Sequence, residues 1–307
     1  MKIGVQTGGL IDELGIEKCY AAIAAAGFDA IDWNLDHALR PAVINSGKYE
    51  GNCIFEKDME AILEYYKEQL FHIEKNGLTI TQAHAPFPAH IPGKPEVLDY
   101  MIGIYKKMIL FCDKVGCKNL VIHGYTAPRH GDYEDVEEAY AINDKLYTSL
   151  IPELKQTNVT ICLENLFGGG GPTILAGICS EPHEAVETIE RYNALAGKEC
   201  FGFCLDIGHM NRLRQDPRRV IPILGKHLKA LHIHDNNGDT DQHKAPYTGS
   251  VDWKGFYTTL KKVGYKGDLS FETFNQVRLG EDAMDLVIPW LNLIGTIGKF
   301  FRNKILD

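Results

Sequence analysis

No two of the eight cysteines in this 307-residue sequence stand in the C-x-x-C spacing of a zinc knuckle or a thioredoxin-like centre. Cys19, Cys53, Cys112, Cys117, Cys162, Cys179, Cys200 and Cys204 are therefore expected as reduced, mostly buried thiols. The sequence has no stretch rich in proline, glycine and serine, no run of like charge and no repeat of fixed period, which argues against an interdomain linker or a solenoid. Basic residues are the minority, 32 Lys and Arg against 41 Asp and Glu for a net charge of −9, so no general polyanion-binding field is expected. The opening MKIGVQT reads as a strand rather than a leader; no membrane span is expected, and the cytoplasm is the default location. What is present is ample core material: 45% of residues are hydrophobic and 24% charged.

Eight short apolar runs read as strands: Ile3 to Thr7, Phe28 to Trp33, Leu78 to His84, Asn119 to His123, Val159 to Glu164, Phe201 to Asp206, Leu228 to His234 and Asp268 to Thr273. Helical spacing lies between them, as in Ile62, Tyr66, Leu70 and Ile73, or Ile104, Met108, Phe111 and Val115. Gly27 and Gly77 fit helix C-termini, and Asp216-Pro217 fits an N-cap with a first-turn proline. Pro222 and Pro289 should each kink or shorten a helix. Strand and helix alternating eight times give an α/β class and a single (β/α)8 TIM barrel over residues 1–307; an open doubly wound sheet is the alternative.

Strand parity sorts these runs into two faces. Val159, Ile161 and Leu163 oppose Thr160, Cys162 and Glu164; Phe201, Phe203 and Leu205 oppose Gly202, Cys204 and Asp206. The same alternation puts His232 and His234, Ser270 and Glu272, Gln6, Asp32, Gln82, His84 and His123 on the polar face, toward the barrel axis. Barrel enzymes place their sites at the carboxyl ends of the strands, where this ring falls. Burying so many ionisable groups requires compensation. A divalent cation provides it, and Glu164, Asp206, His232 and Glu272 form an oxygen-rich set with one imidazole, suited to Mn²⁺, Co²⁺, Zn²⁺ or Mg²⁺.

In these residues the chain resembles the xylose-isomerase-like barrel superfamily, which includes sugar and sugar-phosphate isomerases and epimerases, inosose dehydratases and abasic-site nucleases of the endonuclease IV type. The resemblance covers nearly the whole chain and rests on HAPF at His84, VIHGY at His123, CLENL at Glu164, CLDIGH at Asp206 and His209, LHIHDN at His232, DQH at Asp241 and His243, and SFET at Glu272. It implies one metal on Glu164, Asp206, His232 and Glu272, and a substrate contact at His209. His84, His123, His234, Asp241 and His243 are further candidates for substrate binding. The implied reaction is proton transfer at a ketose through an enediolate, with Glu164 and Glu272 as acid/base pair and a sugar or sugar phosphate as the small-molecule partner.

Two other activities accompany the resemblance. One is an inosose dehydratase-type lyase. The other is a nuclease, because His84, His123, Glu164, Asp206, His209, His232, Asp241, His243 and Glu272 match all nine ligands of a trinuclear site for three Zn²⁺. The continuation HKAPYTGSVDW departs from the usual proline- and glycine-rich one, and no dense basic cluster accompanies the set, so a nucleic-acid partner is not expected. Whether copies of the chain form a homo-oligomer is left open.

Three further features bear on the strand ends. The segment from Asn34 to about Lys57 is the longest loop and a candidate lid, Gly168 to Gly171 could offer backbone N–H groups to an anion, and Arg129, Arg212, Arg214 and Lys244 are the nearby basic residues for a phosphate. Trp33 has the parity of a helix-facing core residue.

Overall fold

Each of the eight apolar runs becomes a strand in the computed structural model, which describes residues 1–126, 133–168, 174–276, 278–279 and 281–307. The strands are β1 (Ile3–Gln6), β2 (Ala30–Asn34), β3 (Thr79–His84), β4 (Asn119–Val121), β5 (Thr160–Glu164), β6 (Phe201–Asp206), β7 (Leu228–His232) and β8 (Leu269–Phe271). They lie in chain order in one parallel sheet with β8 beside β1. A bridge between Ile233, just past β7, and Phe271 of β8 joins the ends of that order, as a (β/α)8 barrel requires. His123, His234 and Glu272 fall just beyond the regular strands, although the Glu272 N–H still donates to the Ile233 carbonyl at 3.1 Å.

The chain comprises two compact units, one of Met1–Trp33, Lys67–Thr81 and Cys204–Asp307, the other of Asn34–Tyr66 and Gln82–Phe203. In the first, Gln6 pairs with Asp32 across β1 and β2, and Gly4 pairs with Ser270 across β1 and β8. Parity therefore carries Gln6, Asp32 and Ser270 to one face. Trp33, of opposite parity, is fully buried and donates its indole N–H to Gln69 Oε1 at 3.0 Å, on the helix Met59–Lys75. The C-terminal helix Val287–Leu306 buries Leu291, Ile294, Phe301 and Ile305, and Phe301 stacks on Trp253 at 5.2 Å.

That last helix lies within Asp282–Leu306, a segment long and apolar enough to cross a membrane by length and composition alone, which the sequence reading did not flag. Its buried apolar stripe is what a barrel helix needs to cover a sheet. Pro289 does not shorten it, because it sits in the first turn, where no intrahelical N–H is needed. Pro222 does lie inside a short helix, Pro217–Leu224, whose N-cap Asp216 accepts from Arg218 N–H at 2.9 Å.

In the second unit, Gln82, Ala83 and His84 pair with Asn119, Leu120 and Val121, which pair in turn with Thr160, Ile161 and Cys162. Residues 34–57 are not an open loop. They fold into short helices at Asp36–Leu39, Pro41–Ser46 and Ile54–Glu56 and bury Leu39, Ile44, Tyr49 and Phe55. Phe55 packs edge-on to Phe111 at 5.6 Å, and the Glu56 carboxylate accepts from Gly51 N–H and Tyr100 Oη. Of the glycine run, Gly168 ends a two-residue strand paired with Leu175–Ala176; Gly169 to Gly171, and Arg129, lie outside the described residues. All eight cysteines are buried thiols outside any disulfide.

Candidate active site

The first unit gathers seven of the ten candidate residues around the ends of β6, β7 and β8. Asp206 ends β6 and is also the N-cap of the helix Ile207–Arg212, its Oδ1 accepting from His209 N–H at 2.7 Å. This dual position sets His209 one turn beyond Asp206. His232 ends β7, with Nδ1 3.6 Å from Glu272 Oε2 and 3.9 Å from Asp206 Oδ2, and Nε2 3.3 Å from Asp32 Oδ2. Glu272 follows β8 and accepts from Gln6 Nε2 at 2.5 Å.

His234 points to the same side as His232 and lies with Nε2 2.9 Å from Asp206 Oδ1. Its ring fills the space where a Cβ on residue 208 would stand, which is why the turn after Asp206 carries a glycine. Asp241 Oδ2 lies 2.9 Å from His243 Nε2 and 3.4 Å from His209 Nε2. The rings of His234, His243 and Phe274 form a stacked column with centroids 4.0 and 4.2 Å apart.

These contacts set the protonation states. Complete burial holds the His234 imidazole below its ordinary pKa despite the adjacent Asp206 charge. Burial also works against a charged His243, but Glu272, Asp241 and Asp206 overcome it and lift its pKa to about 9. Burial opposes ionisation of Asp241, yet hydrogen bonds to His209 and His243 hold its carboxyl far below the usual carboxylate range. Asp241 and His243 therefore behave as a partly buried ion pair at neutral pH.

The second unit brings together the other three candidates. His84, at the end of β3, has Nδ1 2.9 Å from the Ala85 carbonyl and Nε2 3.0 Å from His123 Nε2. His123 Nε2 is 3.1 Å from Glu164 Oε2, and Phe87 of the HAPF segment packs at a tilt against the His123 ring, centroids 4.8 Å apart. Since the Ala85 carbonyl can only accept, His84 carries a proton on Nδ1.

Chemically these groups suit metal ions. In the first unit His209, His234, Asp241 and His243 each place a ligand atom within 4.8 Å of the others, as do Asp206, His234 and Glu272; in the second, His84, His123 and Glu164 do the same. The separations of His232 Nδ1 from Glu272 and Asp206 exceed hydrogen-bond length. Two ligands each about 2.1 Å from one tetrahedral ion stand about 3.4 Å apart, so a small divalent cation fits that spacing. Carboxylate oxygens with one imidazole nitrogen match Mn²⁺, Co²⁺, Zn²⁺ or Mg²⁺.

Two contributors escaped the sequence reading. Phe274 closes the ring column, and its signal was only an aromatic two residues past Glu272. Asp235, fully buried directly after His234, accepts from Asn236 N–H, Val251 N–H, Gly249 N–H and the Trp253 indole at 2.9, 3.2, 3.0 and 2.9 Å. It thereby ties down both ends of the segment bearing Asp241 and His243. Gly249 is required there, since a Cβ would strike Asp235 Oδ1 and the Asn236 carbonyl. Of the basic candidates, Arg212 is buried, whereas Arg214 is exposed and lies 3.7 Å from Asp239.

Comparison with known proteins agrees with this architecture. An uncharacterized protein of Sinorhizobium fredii, y4fM, is 25% identical over 272 residues, 84% of this chain and 81% of that protein. A D-tagatose 3-epimerase-like protein superposes with a TM-score of 0.66 at 20% identity, covering 99% of this chain and 98% of that one. D-allulose 3-epimerase from Methylomonas sp., in complex with D-allulose, gives a TM-score of 0.68 at 16% identity over 99% and 96% of the two chains. The model of the xylose isomerase-like TIM barrel family matches residues 20–293, and with the strand order and closure described above this chain belongs to that family.

Proposed function

We propose that this protein is a divalent-metal-dependent isomerase or epimerase of a small sugar, free or phosphorylated, that acts on a ketose by proton transfer through an enediolate. The observation that carries the reading is the approach of Asp206, His232 and Glu272 at a spacing suited to one ion. Glu164, ending β5, completes the ligand set in this proposal on the strength of the family resemblance. A divalent cation held there would supply Lewis acidity toward the ketose carbonyl and toward the charge that develops on its oxygen.

The chain's own groups do the rest. Glu164 takes the proton from carbon, and Glu272 delivers one to the opposite face, giving epimerisation, or to the adjacent carbon while the hydroxyl proton passes to the former carbonyl oxygen, giving isomerisation. Gln6 fixes the Glu272 carboxylate through its amide N–H. His209 is assigned to a substrate hydroxyl, with His84, His123, His234, Asp241 and His243 as the further polar groups of the site. The D-allulose held by the Methylomonas protein supports a free ketose as one candidate substrate.

The approach of Asp241 to both His209 and His243, three of the nine matched zinc-ligand positions, favours a second reading, the three-zinc abasic-site nuclease. One experiment separates the two. Metal-replete protein is incubated with free and phosphorylated ketoses in heavy water, and deuterium at carbon is followed by NMR. Exchange with one bound ion per chain, abolished by Glu164→Gln, is the expected result. Three zinc ions per chain with incision of abasic DNA overturns it, and exchange retained in Glu164→Gln removes that residue from the acid/base pair.

A further inference from the structure

Asp32 has no role in the proton transfer described above, yet its carboxylate is fully buried in the middle of β2, 3.3 Å from the far nitrogen of the proposed ligand His232. Its place is fixed twice. The β1–β2 register sets Asp32 opposite Gln6, and the Ser270 hydroxyl donates to Asp32 Oδ2 at 3.2 Å, the same oxygen that faces His232. A carboxylate facing a ring nitrogen at this distance has no proton to give, so its charge favours the tautomer with the proton on Nε2. The lone pair is then on Nδ1, the nitrogen directed toward Glu272 Oε2 at 3.6 Å and Asp206 Oδ2 at 3.9 Å.

We infer that Asp32 is a positioning residue for the metal centre: held by Ser270, it fixes the tautomer and orientation of His232 so that Nδ1 is the ligating nitrogen. The inference rests on the metal-dependent reading given under Proposed function. Its physical content is that of a carboxylate–histidine–metal relay, in which the outer carboxylate orients the ring and makes it a stronger donor; removal of such a partner typically weakens metal binding roughly 10- to 100-fold. Carboxylates flank both nitrogens of His232, so without Asp32 the proton can move to Nδ1, toward Asp206 and Glu272, and the ring no longer offers a lone pair to an ion held beside them.

The test uses Co²⁺ as probe, titrated into the metal-free full-length protein and followed by its visible absorption bands. Wild type should bind Co²⁺ with bands that His232→Ala alters. Asp32→Ala should weaken binding roughly 10- to 100-fold and shift the bands. Asp32→Asn keeps the side-chain shape and an acceptor oxygen, so it should fall between the two; it also decides the matter if the alanine variant does not fold. Wild-type-like affinity, within about twofold, and unchanged bands in Asp32→Asn and in folded Asp32→Ala would overturn the role of Asp32 while leaving the metal reading intact. Failure of the wild type to bind Co²⁺ in a His232-dependent way would instead remove the metal reading, and this inference with it.

Discussion

Asp235→Asn is the most demanding perturbation the structure offers outside the proposed chemistry. The carboxylate accepts four hydrogen bonds, two on each oxygen, from Asn236 N, Val251 N, Gly249 N and Trp253 Nε1, and none of the side chain is exposed. An amide of the same shape keeps one accepting oxygen and turns an N–H₂ toward the other two donors. Two hydrogen bonds to a charged acceptor are lost, each worth about 1.5–3 kcal/mol, so the expected cost is about 3–6 kcal/mol. That is a large part of the 5–15 kcal/mol by which domains are typically stable. Urea unfolding should show it as a fall in midpoint at unchanged slope. Trp253→Phe, which removes one donor and leaves the carboxylate its backbone partners, should cost about 1–3 kcal/mol. An Asp235→Asn protein within about 1 kcal/mol of wild type would refute the idea that this carboxylate holds the segment carrying Asp241 and His243.

Three further outcomes follow from the packing. Gly208→Ala drives a methyl into the His234 ring and should destabilise the fold by about 1–3 kcal/mol, measured by thermal unfolding. All eight thiols are buried, and burial pushes Cys19 up to about 12 and Cys53 to about 11, so a disulfide reagent at neutral pH should label them slowly in the native protein and all eight at once in denaturant. Hydrogen bonds from Arg191 and then Tyr192 hold the Asp144 carboxyl below its ordinary value. The folded pKa is thus below the unfolded one, and its stabilisation is complete above about pH 4 and lost as pH falls through the folded value. Both partners are nearly half exposed, which limits the effect to about 0.2–1 kcal/mol; Asp144→Asn should flatten the acid limb of the stability curve by that amount.

Strand identity was legible because alternation is local: Phe201, Phe203 and Leu205 against Cys204 and Asp206 declare a strand, its face and its polar end without knowledge of any neighbour. Asp216-Pro217 likewise announced its helix start from adjacent residues alone. Residues 34–57 were misread as an open loop, since their short helices are held by distant partners such as Phe111 and Tyr100, which no local pattern reveals. Pro289 was misread because a proline's effect depends on how far it stands from a helix start, and Val287 carries no conspicuous cap.

The candidate residues themselves stood out as polar groups at strand ends, and their types alone pointed to a divalent ion such as Mn²⁺, Co²⁺, Zn²⁺ or Mg²⁺. Sequence could not say which nitrogen of His232 faces which carboxylate, that Asp241 bridges His209 and His243, or that Asp235 gathers donors from as far along the chain as Trp253. Alternation and composition are properties of neighbouring residues and can be read along the chain without its fold. Tautomer, ion pairing and ring stacking depend on distances of a few ångströms between side chains, most of them on different segments of the chain, and those distances exist only once the chain is folded.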